Sequence, residues 1–151
     1  MTVKSLSQGS PDVAQRHETV LQAAVRMQQR AVGSLVVVDD YQAPIGIVTD
    51  RDLVERVLAA GKDPGLTKVG DVMTPHVVTI EEHQPIADAL MLMRRGQFRR
   101  LPIVNDEGNV SGLIALDDII ASWAVQAEAV AQVIKQEMPA TIAEARDSRW
   151  E

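Results

Sequence analysis

The stretch Gly46-Ile47-Val48-Thr49-Asp50-Arg51-Asp52 decides the fold, because its pattern returns 66 positions later as Gly112-Leu113-Ile114-Ala115-Leu116-Asp117-Asp118. In each copy a lone glycine opens a short branched apolar run that ends on acids. The run has the length and residue types of a buried strand, and acids suit the first turn of a helix. Laying residues 17–54 over 83–120 without gaps gives eight identities: His17/His83, Ala23/Ala89, Met27/Met93, Leu35/Leu101, Val38/Val104, Asp40/Asp106, Gly46/Gly112 and Asp52/Asp118. That number is small, but the exchanges between them keep apolar character, as in Val20/Ile86, Val37/Ile103 and Val48/Ile114. Self-similarity of this kind means one supersecondary unit used twice.

Working outward, each copy predicts the same order of elements. Thr19 to Arg30 and Pro85 to Arg95 carry apolar residues at helical spacing, with Pro85 suited to a first turn. Leu35–Val38 and Leu101–Val104 read as strands buried on both faces. Asp39-Asp40-Tyr41-Gln42 and Asn105-Asp106-Glu107-Gly108 have turn chemistry. The second strands are Pro44–Thr49 and Val110–Ala115, and second helices open at Asp50–Asp52 and Asp117-Asp118. Hairpins flanked by helices leave one sheet face open, and the economical arrangement packs the two copies face to face. Between the copies, Gly61–Gly65 is a break, Thr67–Met73 reads as a short helix, and His76–Ile80 reads as a lead-in strand matched by Ser10–Ala14. After Asp118 one helix is expected to about Met138, with Pro139 as its stop and a charged tail over 140–151. Its apolar residues Ile119, Ile120, Trp123, Ala127, Val130, Ala131 and Ile134 fall broadly on one face. Core and subunit contact are equally open for that stripe.

Composition narrows the function. The chain has 151 residues, 46% of them hydrophobic, enough for a real core. A formal net charge of −6 argues against a nucleic-acid coat, since phosphate would be repelled at long range. With no cysteine, disulfides, thiolate catalysis and Cys-type zinc sites drop out. The polar N-terminus has no apolar core of a signal peptide, and no run approaches the ~18 apolar residues of a membrane span. The expectation is a cytoplasmic protein without a membrane segment. Walker, Rossmann and nucleophile-elbow motifs are missing from the sequence. His17, His76 and His83 are too scattered to define a metal site, so none is assigned.

The strings Gly46–Asp52, Val69-Gly70-Asp71-Val72-Met73-Thr74 and Arg99-Arg100-Leu101-Pro102-Ile103-Val104, in that order on a repeat, resemble a pair of cystathionine-β-synthase (CBS) domains, or Bateman module. The resemblance covers about residues 8 to 125. It implies an α+β fold of two β-α-β-β-α repeats packed sheet to sheet about a pseudo-twofold axis: repeat 1 over 8–66, repeat 2 over 67–125 and a helical extension over 126–151. It also implies disc-like homodimers and a regulatory, non-enzymatic role. The ligand would be adenosyl (AMP, ADP, ATP or S-adenosylmethionine), held between the repeats, with no obligatory cofactor.

Such a ligand needs an apolar slot for its base, a carboxylate for the ribose hydroxyls, and cations or N–H donors for phosphate. By the resemblance, one cleft joins Thr49, Arg51 and Asp52 to His76, Val77, Val78, Thr79, Arg99 and Arg100. A plainer role for Thr49 and Asp52 is to cap a helix. The other cleft joins Asp118 to Ser10–Val13, Gly33 and Ser34. It departs from the family: Ala115 stands where Thr49 does, no arginine matches Arg99 or Arg100, and Asp12 adds negative charge. Asp118 therefore marks a second, weaker site. The expected function is an adenosyl-ligand sensor signalling to an effector protein in trans. The alternative is a structural dimerisation or adaptor protein that has lost its ligand, and a remote third is a metal- or polyanion-binding stress protein.

Overall fold

The computed structural model describes residues 1–7 and 9–137. Repeat 1 contains β1 (Val13–Gln15), α2 (Val20–Arg30), β2 (Ser34–Val38), β3 (Pro44–Thr49) and α3 (Asp50–Leu53), and α3 continues as a π-helical turn over Val54–Leu58. Repeat 2 contains β5 (Ile80–Glu81), α5 (Ile86–Gly96), β6 (Arg100–Val104) and β7 (Val110–Ala115). Two short helices, α1 (Val3–Leu6) and α4 (Val69–Val72), and the two-residue strand β4 (Thr74–Pro75) complete this unit. Helix α6 (Leu116–Glu137) follows; all but its first residue belong to a separate compact unit. Among the described residues no helix is long and apolar enough to cross a membrane.

The sheets have orders β1-β2-β3-β4 and β5-β6-β7, each with one parallel lead-in strand and an antiparallel hairpin. Ala14 pairs with Val37 in the first, and Ile80 with Ile103 in the second, 66 residues on. Both hairpins carry an irregularity at equivalent places, between Val37 and Val38 and between Ile103 and Val104. Their turns match atom for atom. Asp39 Oδ1 accepts the N–H groups of Tyr41 and Ala43, and Asn105 Oδ1 accepts those of Glu107 and Asn109. Strand β2 is buried along its whole length. Leu35 and Val37 join Val20, Ala23, Met27, Val57, Val69 and Val72 in the core of repeat 1, while the alternating Val36 and Val38, on the opposite face, are buried too. Such two-sided burial is the packing expected of strands that read as continuous apolar runs.

Several boundaries differ from the sequence expectation. Helix α2 begins at Val20 because Thr19 is its cap, in a reciprocal capping box with Gln22. Pro85 is also a cap, extended at ψ 155, rather than the first helical residue. The lead-in segments are shorter than Ser10–Ala14 and His76–Ile80. In the second, Thr74–Pro75 pairs with β3 of repeat 1 and Ile80–Glu81 with β6 of repeat 2, so His76–Thr79 is a crossing rather than a strand. The left-handed φ of 54 at His76 breaks the extension between the two sheets. Thr67–Met73 contracts to Val69–Val72. Helix α6 runs without a break through the expected boundary at 125/126. Met138, Pro139 and the tail over 140–151 lie outside the described residues.

Candidate functional site

The crossing from sheet to sheet makes the candidate site. A pocket of about 130 Å³ is lined by Ile47 of β3, by Thr74, Pro75, His76, Val77 and Val78 of the crossing, and by Phe98 and Arg100 of repeat 2. Both repeats and the chain between them contribute walls. Ile47, Pro75, Val77, Val78 and Phe98 make an apolar slot, and Thr74, His76 and Arg100 supply polar groups at its margin. Two glycines let the walls approach. A Cβ on Gly46 would lie 2.6 Å from Met73 Sδ and 2.8 Å from the Thr74 carbonyl oxygen. A Cβ on Gly96 would lie 1.7 Å from Cε1 of the Phe98 ring. Contacts that short are forbidden, so only glycine admits Thr74 and Phe98 at these positions.

Of the residues expected from the sequence, His76, Val77, Val78 and Arg100 meet in this pocket. Thr79 follows them, half-buried, outside its lining. Arg99 lines a different depression with Leu90, Met93 and Arg94, and the Phe98 ring separates the two arginines by forming part of both walls. Arg51 is exposed and pairs with Glu55 at 2.7 Å, which raises its pKa, chiefly through that hydrogen bond. Asp118 lies in the first turn of α6, after Ala115, whose methyl cannot accept a helix N–H as a threonine hydroxyl does.

Thr49 and Asp52 cap α3, the plainer of their two expected roles. Asp52 N–H donates to Thr49 Oγ1 at 3.1 Å, and Thr49 N–H donates to Asp52 Oδ2 at 2.9 Å. The other carboxylate oxygen, Oδ1, is 3.3 Å from Nη2 of Arg56, and the Asp52 side chain is only 14% exposed. Arg56 reaches further. Its Nη1 donates to the Val72 carbonyl at 2.6 Å, and both terminal nitrogens lie 3.3 Å from Thr74 Oγ1. Arg56 thus links the half-buried carboxylate to a residue of the pocket wall. Sequence reasoning missed it; the available signal was the i,i+4 spacing from Asp52, on a segment that reads as helix. Ile47 and Phe98 were missed as walls, although Phe98 directly precedes the arginine pair.

A larger depression, of about 430 Å³, belongs to repeat 1 alone and runs along Pro11–Gln15 to Arg26 and Arg30. Its charges are spent on each other. Arg30 Nε is 3.1 Å from Asp12 Oδ1, so Asp12 does not present the uncompensated charge expected of it. Arg26 grips Glu18 with both terminal nitrogens and donates to the Val13 carbonyl at 2.7 Å. The hydrogen bonding between Arg26 and Glu18 holds the Glu18 carboxyl below its ordinary range and raises the arginine.

Comparison with known proteins agrees with the two-repeat fold. A family model for the CBS domain matches residues 3–59 and again 69–124. A curated relative, the uncharacterized protein MK0525 of Methanopyrus kandleri, is 40% identical over 103 residues, which are 68% of this chain and 53% of that one. The chain thus spans about half the length of that relative. Among solved structures, the CBS domain pair of protein MJ0100 in complex with 5′-methylthioadenosine and S-adenosyl-L-methionine superposes with a TM-score of 0.73. It is 24% identical, over 82% of this chain and 99% of that one. The CBS domain protein PAE2072 of Pyrobaculum aerophilum, complexed with AMP, gives 0.71 at 22% identity, over 78% and 89%. At those identities the likeness is one of fold.

Proposed function

The chain belongs to the CBS-domain family, and from that membership we propose a regulatory module that binds an adenosyl ligand between its repeats and transmits occupancy to a partner protein. The observation that carries this reading is the pocket of about 130 Å³ walled by Ile47, Pro75, Val77, Val78 and Phe98, with Arg100 at its margin. Pockets that enclose a whole small molecule hold about 300–1,000 Å³, so this slot takes one flat apolar part, the base. The sugar and any phosphate extend outside it, where Arg100 offers a guanidinium fork that matches phosphate oxygens. Asp52 is the acceptor for the ribose hydroxyls, through the oxygen that Arg56 now holds. MJ0100 and PAE2072 supply the precedent for ligand class, each carrying adenosyl compounds on this fold.

Binding can bias the protein only through a difference in affinity between two arrangements of the repeats. The crossing segment is the natural lever, because it forms the pocket wall and joins both sheets. Calorimetric titration with AMP, ADP, ATP, S-adenosylmethionine and NADH tests the reading. The expected result is micromolar binding of at least one, near one per chain, on the order of −8 kcal/mol. Asp52→Ala should abolish it with the fold intact, and Asp118→Ala should matter far less. Equal weakening by the two substitutions would overturn the asymmetry, and no binding at all would leave the structural adaptor.

A further inference from the structure

The helix that leaves the candidate site is irregular in one turn. After Asp50–Leu53 the residues Val54–Leu58 are π-helical, and the Ala59 N–H donates to the Val54 carbonyl, five residues back, at 2.8 Å. Turns of this register are rare and recur at functional sites. Repeat 2 has the same turn in ordinary form. Its counterpart, Ile120–Ala124, lies within α6, which is α-helical from Leu116 to Glu137. Both turns follow an aspartate, Asp52 or Asp118, and both keep apolar character at Leu53/Ile119 and Val54/Ile120. At the place of Arg56, however, stands Ser122. Within Val54–Leu58, Arg56 is the residue whose side chain bonds outside the helix. It reaches the Val72 carbonyl and Thr74 Oγ1 on one side and Asp52 Oδ1, one turn back, on the other. A planar guanidinium that spans two anchors keeps the widened turn in place.

We propose that Arg56 is a ligand-operated latch on this turn. The proposal rests on the adenosyl reading above, in which a ribose hydroxyl takes the Asp52 oxygen that Arg56 holds. With that anchor gone, Val54–Leu58 relaxes to α-helical register, and the Ala59 N–H passes from the Val54 to the Glu55 carbonyl. The guanidinium then leaves Val72 and Thr74 for the anionic end of the ligand. Thr74–Pro75 pairs with β3 and forms part of the pocket wall, so its release frees the segment that joins the two sheets. A switch requires that ligand bind one state better than the other. Here the relaxed turn is the better binder, because it leaves Asp52 open to ribose.

The test reads the hydrogen-bond acceptor of Ala59 directly, by nitrogen–carbonyl coupling across the hydrogen bond in magnetic resonance of the labelled full chain. Without ligand the Ala59 nitrogen should couple to the Val54 carbonyl. Calorimetry first establishes which of AMP, ATP and S-adenosylmethionine binds. At saturation with that compound, the coupling to Val54 should vanish and one to Glu55 should appear. Ligand-free Arg56→Gln should already couple to Glu55. So should Asp52→Asn, which keeps an oxygen for the Thr49 N–H but no charge for Arg56. The two ways of failing are distinct. If a compound binds while Ala59 stays on the same carbonyl, or if a folded variant keeps the π turn, the latch is refuted and adenosyl binding stands. If none of the three binds, the functional reading falls and the latch with it.

Discussion

The backbone N–H of Val3 donates to the carbonyl of Gln84 at 2.9 Å, which ties the first helix of the chain to the second repeat rather than to its own. Sixty-six residues later the bond recurs with the repeats exchanged: Val69 N–H donates to the Glu18 carbonyl, again at 2.9 Å. The neighbouring pairs follow, Lys4 with Glu82 and Gly70 with Arg16. Each repeat is therefore closed by a helix that precedes the other in the sequence, or that opens the chain. Val3 and Val69 are fully buried at these junctions.

That exchange makes a directional prediction. Val3→Ala removes two buried methyl groups and should cost about 2 kcal/mol. The loss should fall on repeat 2: amide exchange should accelerate at Leu101 and Ile103 more than at Leu35 and Val37. Val69→Ala should show the converse. Hydrogen exchange followed residue by residue checks both, and an equal response of the two repeats to either change would refute the account.

Gly46 and Gly112 are equivalent in sequence but not in tolerance. A Cβ on Gly46 meets the Thr74 carbonyl at 2.8 Å, which is main chain and cannot step aside without moving the pocket wall. A Cβ on Gly112 meets Ser7 and the tip of Ile103 at 3.1 Å, where the neighbours need give only a few tenths of an ångström. Gly46→Ala should therefore cost about 2 kcal/mol or more and weaken adenosyl binding at least tenfold, whereas Gly112→Ala should cost about 1 kcal/mol and leave binding unchanged. Urea unfolding and calorimetry on the two variants decide this.

These two glycines also show what the sequence could and could not reveal. The shift of 66 was legible from apolar exchanges and turn residues, since Asp39 and Asn105 perform the same bonding with different side chains. The swapped helices were not legible. Val3–Leu6 sits in a segment that reads as merely polar, and only its bonds to Gln84 and Glu82 reveal its kinship with Val69–Val72. In the site, His76, Val77, Val78 and Arg100 were found because they are local to a motif. Arg56 was not, because its contacts at Val72 and Thr74 are 16 and 18 residues away and one is to main chain.

Arg56 carries a prediction of its own. It neutralises Asp52 and holds the crossing segment, so in the proposed function it competes with ribose for Asp52 while offering a charge to phosphate. Arg56→Ala should then treat adenosine and AMP differently. Adenosine binding should hold or improve, AMP binding should fall about tenfold, and the ratio of the two affinities is the readout. A parallel loss for both ligands would reduce Arg56 to a structural tie of the crossing.

The ion pair of Glu18 and Arg26 gives repeat 1 an acid-sensitive contact. Arg26 holds the Glu18 carboxyl below its ordinary value of 4.5, mainly by direct hydrogen bonding. A carboxylate depressed on folding lends stability that is complete above the unfolded pKa and is lost as pH falls through the folded one. The window therefore opens near 4.5 and extends below it. Repeat 2 supplies its own control, for Gln84 and Leu92 occupy the equivalent positions. Gln84 Oε1 accepts the Glu81 N–H at 3.0 Å, as Glu18 Oε2 accepts that of Gln15 at 2.7 Å, so an amide fits the site without a charge. Glu18→Gln should accordingly fold normally and cost about 1 kcal/mol at neutral pH, a value discounted for the partly exposed pair. The gap between wild type and variant in urea unfolding should close as pH drops below 4.5. A gap that stays constant into acid would mean that the carboxylate's charge contributes nothing.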